Sequence, residues 1–133
     1  MLVRVIAPIA AFMLLSSGAA AQPGPDWSHA QRVNVTLSNF SFSPKSIHLR
    51  AGHAVVLHLS NTASGGHDFT ARQFFAASAV RAQDRGAIRG GSVEVGKHQS
   101  VDVALVPRAG RYPLKCGHAF HKTFGMSGEI VVD

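Results

Sequence analysis

One cysteine, one tryptophan and one tyrosine are all that 133 residues contain of those three types. A lone cysteine excludes an internal disulfide. In an oxidising compartment it must be buried and inert, bonded to another chain, or ligated to a metal. Acidic residues are also scarce, 7 against 13 Lys and Arg. Basic residues are not interleaved with aromatics as a base-stacking platform requires, which argues against nucleic acid as a partner. There is no internal repeat and no low-complexity tract. No cysteine follows the small-residue stretch Ala19-Ala20-Ala21, so nothing there signals lipid attachment.

What is present begins with Arg4, an apolar run over residues 5–15 and those small residues, ending before Gln22. That layout predicts a secretory signal over residues 1–21 with an A-x-A cleavage site, and hence a periplasmic or otherwise exported protein. The run is short and carries Pro8, whereas a spanning helix needs about 20 apolar residues, so no stable membrane insertion is expected after cleavage. Cleavage removes Arg4 and leaves 12 basic residues against 7 acidic ones, a charge of about +5 with histidines neutral. Such a surface suits an acidic protein partner. The remaining length suits one domain, with residues 22–31 as a Pro- and Gly-containing lead-in and residues 32–133 as the folded unit.

From Arg32 the hydrophobic pattern has period two. Val33, Val35 and Leu37 form one set, Ile47 and Leu49 a second, and Val55, Leu57 and Leu59 a third, with breaks at NFSFSP and at Ala51-Gly52. A strand starting at His67, a helix of about three turns over residues 73–84, and strands at Val93, Val101, Tyr112 and Ile130 complete the reading. The pattern predicts an all-β fold, an antiparallel β-sandwich of about eight strands with one short helical insertion.

The chemistry concentrates near the C-terminus, in KCGHAFHKTFGMSGEIVVD. Cys116 lies five residues before His121 and ten before Met126. Thiolate, imidazole and thioether together are a donor set that copper accepts as Cu(I) and as Cu(II), and trigonal His₂Cys sites with a weak axial Met need a second imidazole. His67, in NTASGGHDFTA, is the candidate. His48 and His58 fall on the polar phase of their strands, His53 and His98 follow a turn glycine and a lysine, and His29 lies in the lead-in. Cys116 and Met126 also have plain readings as core residues, but their shared loop with His121 favours ligation. His118 gives the alternative spacing C-x-H-x-x-H and a competing imidazole. Gly65 and Gly66 before His67, and Gly125 and Gly128 around Met126, suit places where the backbone turns or approaches closely. Arg81, Arg85 and Arg89 would line one face if the helix ran that far, a face best read as solvated.

The segment NFSFSP followed by IHLRAGHAVVLHLSN, the segment GGHDFT and the closing YPLKCGHAFHKTFGMSGEIVV together resemble the cupredoxins, the blue copper family, across residues 32–133. The resemblance implies a Greek-key sandwich holding one copper ion, with His67, Cys116 and His121 in a plane and Met126 as the long axial ligand. It implies single-electron transfer between redox protein partners by a monomer, without catalysis. Its C-x4-H-x4-M loop resembles the plastocyanin type. Asp68 stands where the family often has Asn, and can accept but not donate in the tie between ligand segments. Ala119, Phe120 and Phe124 are candidates for an apolar docking patch around His121. Three other readings compete: a module that sequesters or delivers Cu(I), a metal-assisted enzyme, and a metal-free interaction module. A thioether is a poor companion for hydrolytic zinc, and only Asp68 supplies a nearby carboxylate, which weakens the enzyme reading.

Overall fold

The computed structural model describes residues 17–20, 23–118 and 124–133. Most of the expected signal segment, with Ala119, Phe120 and His121, lies outside the described residues. Among the described residues no helix is long and apolar enough to cross a membrane.

Among the described residues eleven strands form two sheets. In one, β1 (Gln31–Ser38) lies between β2 (Ser41–Ser43) and β4 (Val55–Asn61), and β9 (Ser100–Val106) and β6 (Ala79–Val80) complete it. The other runs β3 (Ser46–Leu49), β11 (Ser127–Val132), β10 (Gly110–Lys115), β5 (His67–Thr70), β8 (Ser92–Val95), β7 (Ile88–Arg89). The expected sandwich is present, but its sheets are mixed: β1 pairs with β4, and β3 with β11, in parallel, while the other pairs are antiparallel. Alternation makes these strands because every second side chain enters the space between the sheets. Along β4, Val55, Leu57, Leu59 and Asn61 are buried while the residues between them are half-buried. Val35, Leu37, Val103, Leu105, Phe69 and Ile130 meet them in one core. Strand β5 departs from alternation, with all four residues buried.

The three-turn helix does not form. Helix α1 covers only Arg72–Ala77, where Phe74 and Phe75 are buried and Phe74 packs at 5.5 Å on Tyr112 of β10. Ser78 turns its hydroxyl back to the Phe74 carbonyl at 2.7 Å and is itself extended. The next two residues become β6, whose pairing of Ala79 with Val106 and Val80 with Leu105 covers the edge of β9. Pairing an exposed edge wins over a weak local helix preference. A 3₁₀ turn, Ala82–Ala87, follows. The three arginines therefore share no helix face: Arg81 bonds Asp84 at 2.8 Å, Arg85 lies in the 3₁₀ turn, and Arg89 is in β7. The lead-in also carries a 3₁₀ turn, Trp27–His29, capped by Asp26.

Candidate metal centre

Three of the four sequence-selected side chains can be located, and they converge at one end of the sandwich. His67 opens β5, Cys116 directly follows β10, and Met126 directly precedes β11. All three are 0% exposed. Although 49 positions apart in sequence, His67 Nδ1 lies 3.9 Å from Cys116 Sγ. The peptide N–H of Cys116 donates to the Met126 carbonyl at 3.1 Å, closing the base of the loop between β10 and β11. His121 lies outside the described residues. The remaining histidines are elsewhere engaged or exposed: His58 bonds Asp102 at 2.6 Å, His29 bonds Asp26 at 2.6 Å, and His48, His53 and His98 are exposed.

The scaffold orients the imidazole. Asn61, buried at the end of β4, donates to the carbonyls of Gly65 and Val95, each at 2.9 Å, and accepts from Ala63 N–H. It thereby shapes the turn that delivers His67. At the ring itself, Nε2 lies 2.9 Å from Asn39 Oδ1. A carbonyl oxygen only accepts, so in the neutral ring Nε2 carries the proton and Nδ1 presents its lone pair towards the sulfur. The sequence reading treated Asn39 as part of a break between strands. Nothing in the local pattern links it to a histidine 28 positions away.

Around the sulfur, the Asp68 N–H lies 3.4 Å from Cys116 Sγ, and the His118 N–H also donates to it. Burial pushes the Cys116 thiol above its usual pKa; the two N–H donors pull the other way, and the Asp68 and Glu94 carboxylates add a smaller upward push. Asp68 ties the two ligand segments by accepting, as expected from its chemistry. Its Oδ1 takes the Gly117 N–H at 2.8 Å and the Thr70 hydroxyl at 2.6 Å. His118 is turned towards Glu94, with Nε2 2.7 Å from Oε1, and lies 3.6 Å from Asp68 Oδ2.

The glycine expectations divide. Gly125 sits at φ +79°, a conformation that favours glycine, and a side chain at Gly128 would collide with the Lys45 carbonyl. Gly66 leaves room for Glu94 and His118, whereas Gly65 has open space around it. Outside the pocket, Phe124 and Phe40 are exposed and stacked at 4.8 Å, and Phe40 meets the His67 ring edge-on at 6.4 Å.

These residues fit a copper ion. Metal–sulfur and metal–imidazole bonds of roughly 2.3 and 2.0 Å at a trigonal angle place sulfur and nitrogen about 3.7 Å apart, close to the 3.9 Å observed. The nitrogen that faces the sulfur is the one with its lone pair available.

A two-sheet sandwich with a buried Cys, His and Met at one end defines a class of small β-sandwich domains. The chain belongs to the cupredoxin-like domain family, whose description matches residues 5–132. Among solved structures it is similar to the dithionite-reduced auracyanin of Roseiflexus castenholzii, at 17% identity over 83% of this chain and 99% of that one, with a TM-score of 0.58. Auracyanin A of Chloroflexus aurantiacus, described as a "blue" copper protein, is 16% identical over 77% of this chain and 99% of that one, with a TM-score of 0.52. A multi-copper oxidase from Pseudomonas thermotolerans shares the fold at 20% identity and a TM-score of 0.63, over 84% of this chain but 31% of the oxidase. Comparison with curated proteins gives no match.

Proposed function

We propose that this chain is an exported type 1 copper protein that carries single electrons between redox partners, holding one copper ion through His67, Cys116, His121 and Met126. The observation that carries the reading is the buried approach of His67 Nδ1 to Cys116 Sγ at 3.9 Å. Bound copper would supply one-electron chemistry, passing between Cu(I) and Cu(II). The protein's part is to hold the donors so that they need not rearrange when the charge changes. Asn39 fixes the His67 ring, Asp68 ties the cysteine loop to β5, and the backbone hydrogen bond from Cys116 N–H to the Met126 carbonyl closes that loop. Full burial of the three located donors keeps water from them. The cupredoxin-like family and the blue copper protein among the similar structures support copper as the ion.

Residues 1–21 would direct export and residues 32–133 would form the working domain. The stacked Phe40 and Phe124, one of them edge-on to His67, support a docking face at this end of the sandwich. The net positive charge favours an acidic partner.

The test is a visible and electron paramagnetic resonance spectrum of the copper-loaded protein with metal content measured. The reading expects one copper per chain and an intense thiolate-to-copper band that Cys116→Ser abolishes. A copper-loaded but colourless protein would replace it with sequestration or delivery of Cu(I).

A further inference from the structure

We propose that His118 is a positioning residue: its imidazole latches the loop leaving Cys116 onto strand β8 through Glu94. The inference rests on the copper reading only for its consequence at the metal, since the latch itself is a property of the protein.

Asp68 and Glu94 are direct partners across the antiparallel β5–β8 pair. Two carboxylates placed opposite one another repel and weaken a sheet unless something answers them. The His118 Nε2 lies between them, 2.7 Å from Glu94 Oε1 and 3.6 Å from Asp68 Oδ2. An Nε2–H donates to the nearer oxygen in the neutral ring as in the charged one, so the contact needs no titration. The loop is thus bonded to β8 through Glu94, and β8 holds the loop in return.

The position matters because β10 ends at Lys115, so Gly117 and His118 lie beyond the strand. Gly117 is held by its N–H on Asp68 Oδ1 at 2.8 Å. His118 is the next residue, and its side chain adds a second fastening on a different strand. Together the two keep the peptide groups beside Cys116 Sγ in place. Gly66 completes the arrangement: a Cβ there would touch His118 Cε1 at 3.4 Å and stand 3.2 Å from Glu94 Oε1, so the carboxylate would have to give by a few tenths of an ångström. The glycine just before His67 and the histidine just after Cys116-Gly117 thus answer one packing requirement. In this arrangement His118 is a fastener, not a rival for the metal.

The experiment is amide hydrogen exchange, followed by NMR on the metal-free protein, for wild type, Glu94→Ala, Glu94→Gln and Gly66→Ala. Glu94 has a side chain 62% exposed, so its removal leaves the core alone. Amides of Leu57 and Leu105 report that the fold is intact. Glu94→Ala is expected to speed exchange of the His118 amide about fivefold, the scale set by losing one hydrogen bond that holds the loop. Glu94→Gln keeps an acceptor oxygen and should restore most of the protection, while Gly66→Ala should loosen the same amide by crowding. After copper loading, Glu94→Ala should release the metal to a chelator about tenfold faster. Unchanged exchange at His118 in both Glu94→Ala and Gly66→Ala overturns the latch. A wild-type protein that shows the latch in exchange but no blue band would sink the electron-carrier reading and leave the latch standing.

Discussion

Asn39→Ala removes one hydrogen bond, that from His67 Nε2 to Asn39 Oδ1 at 2.9 Å, and leaves the backbone of both residues in place. With the acceptor gone, nothing on Asn39 selects the tautomer or the ring orientation that puts the Nδ1 lone pair towards Cys116, and the fraction of protein ready to bind metal falls. A buried donor stripped of its partner costs about 1–3 kcal/mol. His67 is 0% exposed, but Asn39 lies at the surface, where water reaches the vacated place, so the lower end applies. About 1 kcal/mol corresponds to roughly fivefold weaker copper binding. The assay is equilibrium competition with a copper chelator, run beside urea unfolding of the metal-free protein to separate affinity from stability. Asn39→Asp retains an acceptor and should bind within about twofold of wild type. Copper affinity in Asn39→Ala equal to wild type, or Asn39→Asp as weak as Asn39→Ala, would refute the reasoning.

Four further outcomes are expected. Asp68→Ala strands the Gly117 N–H and should destabilise the metal-free fold by about 2 kcal/mol, while Asp68→Asn keeps an acceptor and should lose about half of that; urea midpoints compare them. Gly128→Ala drives a methyl into the Lys45 carbonyl where β11 lies against β3, and should cost about 1–3 kcal/mol in thermal or chemical unfolding; an unchanged midpoint would count against the close approach. Because burial holds the Cys116 thiol above its usual pKa, the unfolded chain releases this proton first as pH rises past about 8.5. The stabilising contribution is complete below that pH and is lost as pH climbs towards the folded value, so the metal-free protein should weaken above about pH 8.5 more steeply than Cys116→Ala. Parallel slopes for the two proteins would contradict this. In the same way, copper loading at neutral pH should release a proton, measurable in weakly buffered solution.

The strands around Leu57, Val103 and Ile130 were legible because burial of alternate residues writes itself into a local period of two. Cys116 and Met126 stand out as candidate donors because both sit in one short loop, with no scaffold needed to recognise the donor set. His67 is a candidate by strand phase, which assigns the other strand histidines to the polar side, and its 3.9 Å approach to the sulfur is what the proposed site rests on. The short helix is present but shorter than its composition suggests. Phe74 and Phe75 do belong to it, but Val80 satisfies the edge of β9 instead of extending the turn. Strand β2 was read as a break, because its three residues gain their strand character only from pairing with β1.

What the linear chain determined by itself was the alternation that makes a sandwich and the kinds of donor atom available to a metal, since both depend on residue identity and short spacing. Tertiary structure alone decided the parallel pairing of β1 with β4 and of β3 with β11, the reach of Asn39 to His67, and the meeting of Asp68, Glu94 and His118. Each of those joins residues far apart in sequence through sheet register, and register is set by how whole strands pack their buried faces, a choice no local window contains.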